Sequence, residues 1–106
     1  MKIEELDGAA LAEVLETEER GIVVDFWSPW CAPCRALRPH LDRLAAEQSG
    51  WRFVAVNTEA DPSASETFAV SALPTLVWFR DGRELSRLAG GVTLSGVAQK
   101  LDELNR

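Results

Sequence analysis

Apolar positions along the 106-residue chain change period several times, and each change predicts an element. "KIEEL" reads as a short strand, and Asp7 can cap a helix through about Thr17 whose Leu11, Val14 and Leu15 fall at helical spacing. "IVVDFW" is a nearly unbroken apolar run, the mark of a strand buried on both faces. From Cys31 to about Gln48 the pattern turns helical, with Leu37, Leu41 and Leu44 recurring at three and four and Ser49-Gly50 closing the segment. Pro39 interrupts that helix by removing a backbone donor, which predicts a kink. "WRFVAVNT" is a third strand, and "DPSASETFAV" a short helix that starts at Asp61 before Pro62.

"LPTLVWFRDGRELSRLAG" is the clearest local signal. Two strand-like runs flank Asp81-Gly82, a hairpin turn pair whose second residue tolerates positive φ. A last amphipathic helix carries Val97, Leu101 and Leu104 on one face. The order β-α-β-α-β-α-β-β-α predicts an α/β fold, with parallel early strands joined by right-handed crossovers. The hairpin adds an antiparallel edge, giving a mixed sheet with helices on both faces.

Composition narrows this further. With 46% hydrophobic residues the chain can build one compact core without metal or disulfide staples. A net charge of −6 with no long basic run argues against nucleic acid or an anionic membrane as partner. No apolar stretch approaches the roughly 20 residues of a membrane span, and "MKIEELDGAA" lacks the apolar region of a secretory signal. The expectation is a cytoplasmic protein, a compartment in which a close cysteine pair is more often catalytic or metal-binding than structural.

Both cysteines lie in "VVDFWSPWCAPCRAL". Cys31 falls where the buried strand ends and the helix begins, so unpaired N–H groups and the helix dipole favour its thiolate. Cys34 lies one turn on, close enough to attack a mixed disulfide and close an intramolecular bond. Pro33 is tolerated in the first turn, where its missing donor would have had no partner. A zinc site needs four ligands, and two cysteines with the single His40 fall short. A purely structural disulfide would close too short a loop to constrain much. Redox chemistry remains the leading reading, and His40 reads as a surface or half-buried residue.

Asp25 interrupts an otherwise apolar strand, where a carboxylate loses hydration. Such a group titrates high and can exchange protons near neutral pH, unless it is merely an exposed strand-end carboxylate. Pro74 directly precedes an apolar strand, where a proline can hold a cis bond and leaves neighbouring backbone groups free.

Taken together, "VDFWSPWCAPC", "LPT", "DG", "AGG" and the mid-helix Pro39 resemble the thioredoxin family from about Ile22 to the C-terminal helix. The resemblance implies a single thioredoxin domain over 1–106, with about five strands in a mixed sheet and about four helices. It implies that Cys31 is the attacking thiolate, Cys34 the resolving thiol, and Asp25 the group that assists proton transfer at Cys34. Pro74 would be cis against the cysteines, with Leu73 offering its backbone to an extended substrate strand. Trp30, Ala32, Pro33 and Gly90 would line the docking surface. The implied activity is reduction of protein disulfides by a monomer without bound cofactor or metal, whose Cys31-Cys34 disulfide is re-reduced by a flavin-dependent, NADPH-fed thioredoxin reductase. Alternatives are a partner-specific or more oxidising protein of the same fold, or a binding or chaperone module whose cysteines do not turn over.

Two departures stand out. The family's usual Gly-Pro dipeptide is Ala-Pro here, and alanine favours helix over glycine by up to about 1 kcal/mol. Ala55 stands where the family often has a lysine near the buried aspartate, which predicts that Asp25 is still harder to ionise. "VNTEA" and "SPWCAPCR" resemble the bacterial branch that often carries an N-terminal zinc module, whose four further cysteines this chain lacks.

Overall fold

The computed structural model describes residues 2–106. In chain order its elements are β1 (Glu4–Glu5), α1 (Gly8–Thr17), β2 (Gly21–Trp27), α2 (Ala32–Glu47), β3 (Trp51–Asn57), α3 (Pro62–Thr67), β4 (Thr75–Arg80), β5 (Arg83–Ala89) and α4 (Leu94–Leu104). The five strands form one sheet in the order β1-β3-β2-β4-β5. β3 runs parallel to both β1 and β2, whereas β4 is antiparallel to β2 and β5 antiparallel to β4. This is the mixed sheet that the hydrophobic pattern predicts, and it is the thioredoxin fold.

Local chemistry fixes the element ends. The Asp7 carboxylate accepts from the Ala10 amide at 2.8 Å, and the Thr93 hydroxyl from the Gly96 amide at 3.0 Å, so each caps its helix. Asp81 (φ 56°) and Gly82 (φ 75°) both take the positive φ that tight hairpin turns require. α2 continues past Pro39 to Glu47. α3 is shorter than predicted: it stops at Thr67 because Ala69 turns into the left-handed region at φ 54°. Asp61 also does something sequence did not suggest. Its side chain makes no cap for α3 and instead accepts the Gly8 amide at 2.8 Å, tying the α3 start to the α1 start.

Strand alternation sorts the core into two layers. Ile22, Val24 and Phe26 of β2 point to one face, where they pack with Leu11 of α1, Ala64 of α3, Val54, Val56, Val77 and Phe79. Val23 points to the other face and joins Leu37 and Leu41 of α2, Val97 and Leu101 of α4, Ala55, Leu76 and Trp78. A fully buried aliphatic or aromatic side chain contributes about 1.5–3 kcal/mol relative to exposure. Asp25 shares Val23's face. The same alternation that buries the strand therefore places a carboxylate under α2.

No helix is long and apolar enough to cross a membrane among the described residues.

Candidate functional site

β2 ends at Trp27, and residues 28–30 carry the chain into α2. Cys31 is the N-cap of that helix, in extended conformation, and its Sγ accepts the Cys34 amide at 3.2 Å. One of the first-turn donors thus already points at this sulfur, and a thiolate there would keep it. The loop is pinned from both sides, by Cys31 N–H donating to the Ser28 carbonyl at 3.2 Å and by Arg35 Nη1 donating to the Pro29 carbonyl at 2.6 Å. Cys31 and Cys34 are joined in a disulfide with their Cα atoms 5.2 Å apart. The two sulfurs are not equivalent. Cys34 is only 2% exposed, Cys31 is half-buried, and Ala32 and Pro33 are exposed beside them. Trp30, immediately before the pair, is 79% exposed.

Register brings distant residues to the same end of the sheet. Phe26 lies opposite Thr75, and Thr75 opposite Ala89, so Pro74 and Gly90 extend beyond the sheet on the side where β2 delivers the cysteine loop. The Gly90 amide donates to the Pro74 carbonyl at 3.0 Å. Gly90 sits at φ 71°, although a Cβ there would meet nothing within 4 Å; backbone conformation, not crowding, favours glycine. The Leu73–Pro74 peptide bond is cis. Leu73 is half-buried, and its own amide and carbonyl make no backbone hydrogen bond among the described residues. Pro33 and Ala36 of α2 face Val92 and Leu94 across a shallow groove of about 280 Å³. His40 is half-buried at the same groove, with Nδ1 2.8 Å from Arg43 Nη2.

Asp25 is 2% exposed, which removes the exposed strand-end alternative. It lies between Ala55 of β3 and Leu76 of β4, and its Oδ1 is buried without a hydrogen-bond partner among the described residues. Burial pushes its carboxyl up to about 6, against the pull of the Arg38 guanidinium. The raised carboxyl agrees with the expectation for Asp25, and Arg38 adds a partner to it. Ala55 removes the cation that β3 could supply, but α2 supplies another, since Arg38 Nε donates to Asp25 Oδ2 at 3.3 Å. Sequence reasoning missed this residue, although a signal existed: Arg38 follows Cys34 by four positions and so shares its helix face. Cys34 and Arg38 line one cleft of about 260 Å³ with Trp27, Arg35 and Pro39.

Among the described residues no group of three or more His, Cys, Asp or Glu side chains could hold a metal ion. A redox-active cysteine pair at a helix start, at the end of the sheet that carries a cis-proline loop and on the helix whose Arg38 reaches a buried aspartate, can exchange disulfides. Comparison with known proteins agrees: the thioredoxin family model matches residues 2–103. The chain belongs to the thioredoxin family. The match also covers β1 and α1, which the sequence resemblance had left outside. Thioredoxin 1 of Synechococcus elongatus is 37% identical over 92% of this chain and 91% of its own length. Thioredoxin 1 of a Nostoc species is 33% identical over the same shares. Among solved structures, Fasciola hepatica thioredoxin superposes with a TM-score of 0.87 at 31% identity, covering 95% of this chain and 98% of the other. The chain is a thiol-disulfide oxidoreductase, a protein-disulfide reductase whose redox-active disulfide joins Cys31 and Cys34.

Proposed function

We propose that reduction runs through a mixed disulfide on Cys31 that Cys34 resolves, with Asp25 as the proton acceptor for Cys34. The Cys31 thiolate attacks one sulfur of a client disulfide; that S–S bond breaks, and the other client sulfur leaves with the electron pair and takes up a proton. Cys34 then gives its proton to Asp25 and attacks Cys31, forming the intramolecular disulfide and expelling the second client thiolate. That thiolate takes up a proton from solvent, so the client leaves with two thiols and this protein is left oxidised.

The observation that carries this assignment is the asymmetry of the pair. Cys31 is reachable and caps α2, whereas Cys34 is 2% exposed and lies one turn before Arg38, whose guanidinium reaches Asp25. Supporting it, the backbone of Leu73 before cis-Pro74 makes no hydrogen bond among the described residues and can accept an extended client segment; we assign Trp30, Ala32, Pro33 and Gly90 to the same docking surface. We place the protein in the cytoplasm, as a monomer and one domain over 1–106. A flavin-dependent, NADPH-fed thioredoxin reductase would return its electrons, and disulfide-bearing proteins would be its clients.

Insulin reduction driven by dithiothreitol or by a reductase tests the roles. Cys31→Ser should fall to the uncatalysed rate, and Cys34→Ser should accumulate a stable mixed disulfide at Cys31. Equal rates for Cys31→Ser and wild type would remove the reading.

A further inference from the structure

Arg38 is held at three points, only one of which is Asp25. Its Nη1 donates to Glu5 Oε1 at 2.8 Å, a shorter bond than the 3.3 Å from Nε to Asp25 Oδ2. Its guanidinium lies 4.8 Å from the centroid of the Trp27 ring, a cation–π distance. Trp27 in turn donates Nε1–H to Glu5 Oε2 at 3.1 Å. Glu5 on β1, Trp27 and Asp25 on β2 and Arg38 on α2 form a connected network, which also forms part of the cleft wall beside Cys34.

We infer that Glu5 and Arg38 form a positioning pair that sets how readily Asp25 takes up the proton from Cys34, with Glu5 drawing the guanidinium charge away from the buried carboxylate. The inference rests on Asp25 being the proton acceptor proposed above. Chemistry favours the division of labour. Arg38 is 23% exposed and bonds best to Glu5, which is 46% exposed, so much of its charge is matched outside the core. Asp25 keeps one long ion pair and one oxygen with no partner. Of the other elements around it, β3 and β4 present uncharged Ala55 and Leu76, and α2 adds the carboxylate of Asp42, which accepts the Ile3 amide at 2.9 Å. Glu5 and Asp42 both oppose ionisation, and among the described residues Arg38 is the cation favouring it. Were Arg38 devoted to Asp25, the carboxylate would be a weaker base. Were it absent, the carboxyl would hold its own proton more tightly and be less often free to take one from Cys34.

Carbon-detected NMR titration of Asp25 in the disulfide form, where neither cysteine titrates, reads this directly. Arg38→Met should move the Asp25 midpoint up by about one pH unit, and Arg38→Lys should bring most of it back. Glu5→Gln, which removes the charge and keeps one acceptor oxygen for Arg38 while giving up the second one that Trp27 uses, should move the midpoint down by a smaller amount. Stopped-flow release from a chromogenic aromatic disulfide should show its pH profile displaced in the same directions. A purely structural role would instead scale the rate at every pH without moving the midpoint. An unmoved Asp25 midpoint in Arg38→Met, or an upward move in Glu5→Gln, overturns the inference. A moved Asp25 midpoint with an unmoved release profile supports the pair's hold on the proton and removes Asp25 as acceptor for Cys34.

Discussion

Two of the carboxylates that have an arginine within ion-pair distance, Glu18 and Asp25, behave in opposite ways. Glu18, at the end of α1, accepts three hydrogen bonds from Arg20, at 2.9 and 3.3 Å from the side chain and 3.2 Å from the backbone, with Arg52 3.5 Å away. Its carboxyl is held down to about 2, first by those Arg20 bonds. Asp25 receives one bond at 3.3 Å, and burial pushes it up to about 6. Having a cation nearby therefore does not decide the outcome; the number of donors replacing lost water does. Near the surface the arginine wins and the carboxylate is a stability element. Under α2 desolvation wins, and the group is left able to trade protons.

The pH dependences follow with opposite signs. Glu18 binds protons less readily folded than unfolded, so its contribution is present above about 4.5 and lost as pH falls towards about 2. Asp25 binds them more readily when folded, so its contribution is present below about 3.8 and lost as pH rises through about 6. At neutral pH the ionised Asp25 is a burden on the fold. Asp25→Asn should accordingly stabilise the oxidised protein by about 2 kcal/mol at pH 8, comparable to one well-buried aliphatic side chain, while slowing client release. The gap should close towards pH 4. Denaturant unfolding at both pH values checks it, and a gap that does not change with pH would break the contrast.

How much of this was readable in the chain differs between the two sites of interest. The cysteine pair, the buried strand and the hairpin were legible because each is a local pattern: a period, a turn dipeptide or a spacing. Asp25 was legible because a charge inside "IVVDFW" contradicts its surroundings. The partners of Asp25 were not. Arg38 and Glu5 lie 13 and 20 positions from it in sequence and on other elements, so their meeting depends on how α2 and β1 lie against β2. The same holds for Asp61, whose side chain serves α1 across 53 positions instead of the helix it precedes. The early end of α3 was hidden too, because Ala69 gives no turn signal of the kind glycine or asparagine would.

The missing lysine offers a way to push one site towards the other. Ala55 is fully buried and directly beside Asp25 in the β2–β3 register. Ala55→Lys would set a second cation against the carboxylate and should lower its midpoint by about one pH unit, worth roughly 1.4 kcal/mol. The longer side chain must also fit among Leu37, Leu76 and Trp78, so global stability should fall by about 1–3 kcal/mol. NMR titration separates the two effects. An Asp25 midpoint that stays put in Ala55→Lys, with the introduced ammonium shown to be charged, would mean that distance and burial alone, without donors, govern this site.

The smallest expected effect is at the other pole. Glu18→Gln removes the charge that Arg20 and Arg52 share; its own side chain is 12% exposed, but both arginines reach water, with Arg20 48% and Arg52 30% exposed. Water and salt replace much of what such a pair provides, so the loss at pH 7 should stay below about 1 kcal/mol. It should shrink in 1 M salt, where charges are screened over about 3 Å, and vanish as the wild-type carboxylate is titrated at low pH. Matched unfolding curves at low and high salt measure it. A salt-independent loss would instead place the value of Glu18 in its hydrogen bonds to the Arg20 backbone and side chain, making it a geometric end-piece for α1 and not an electrostatic one.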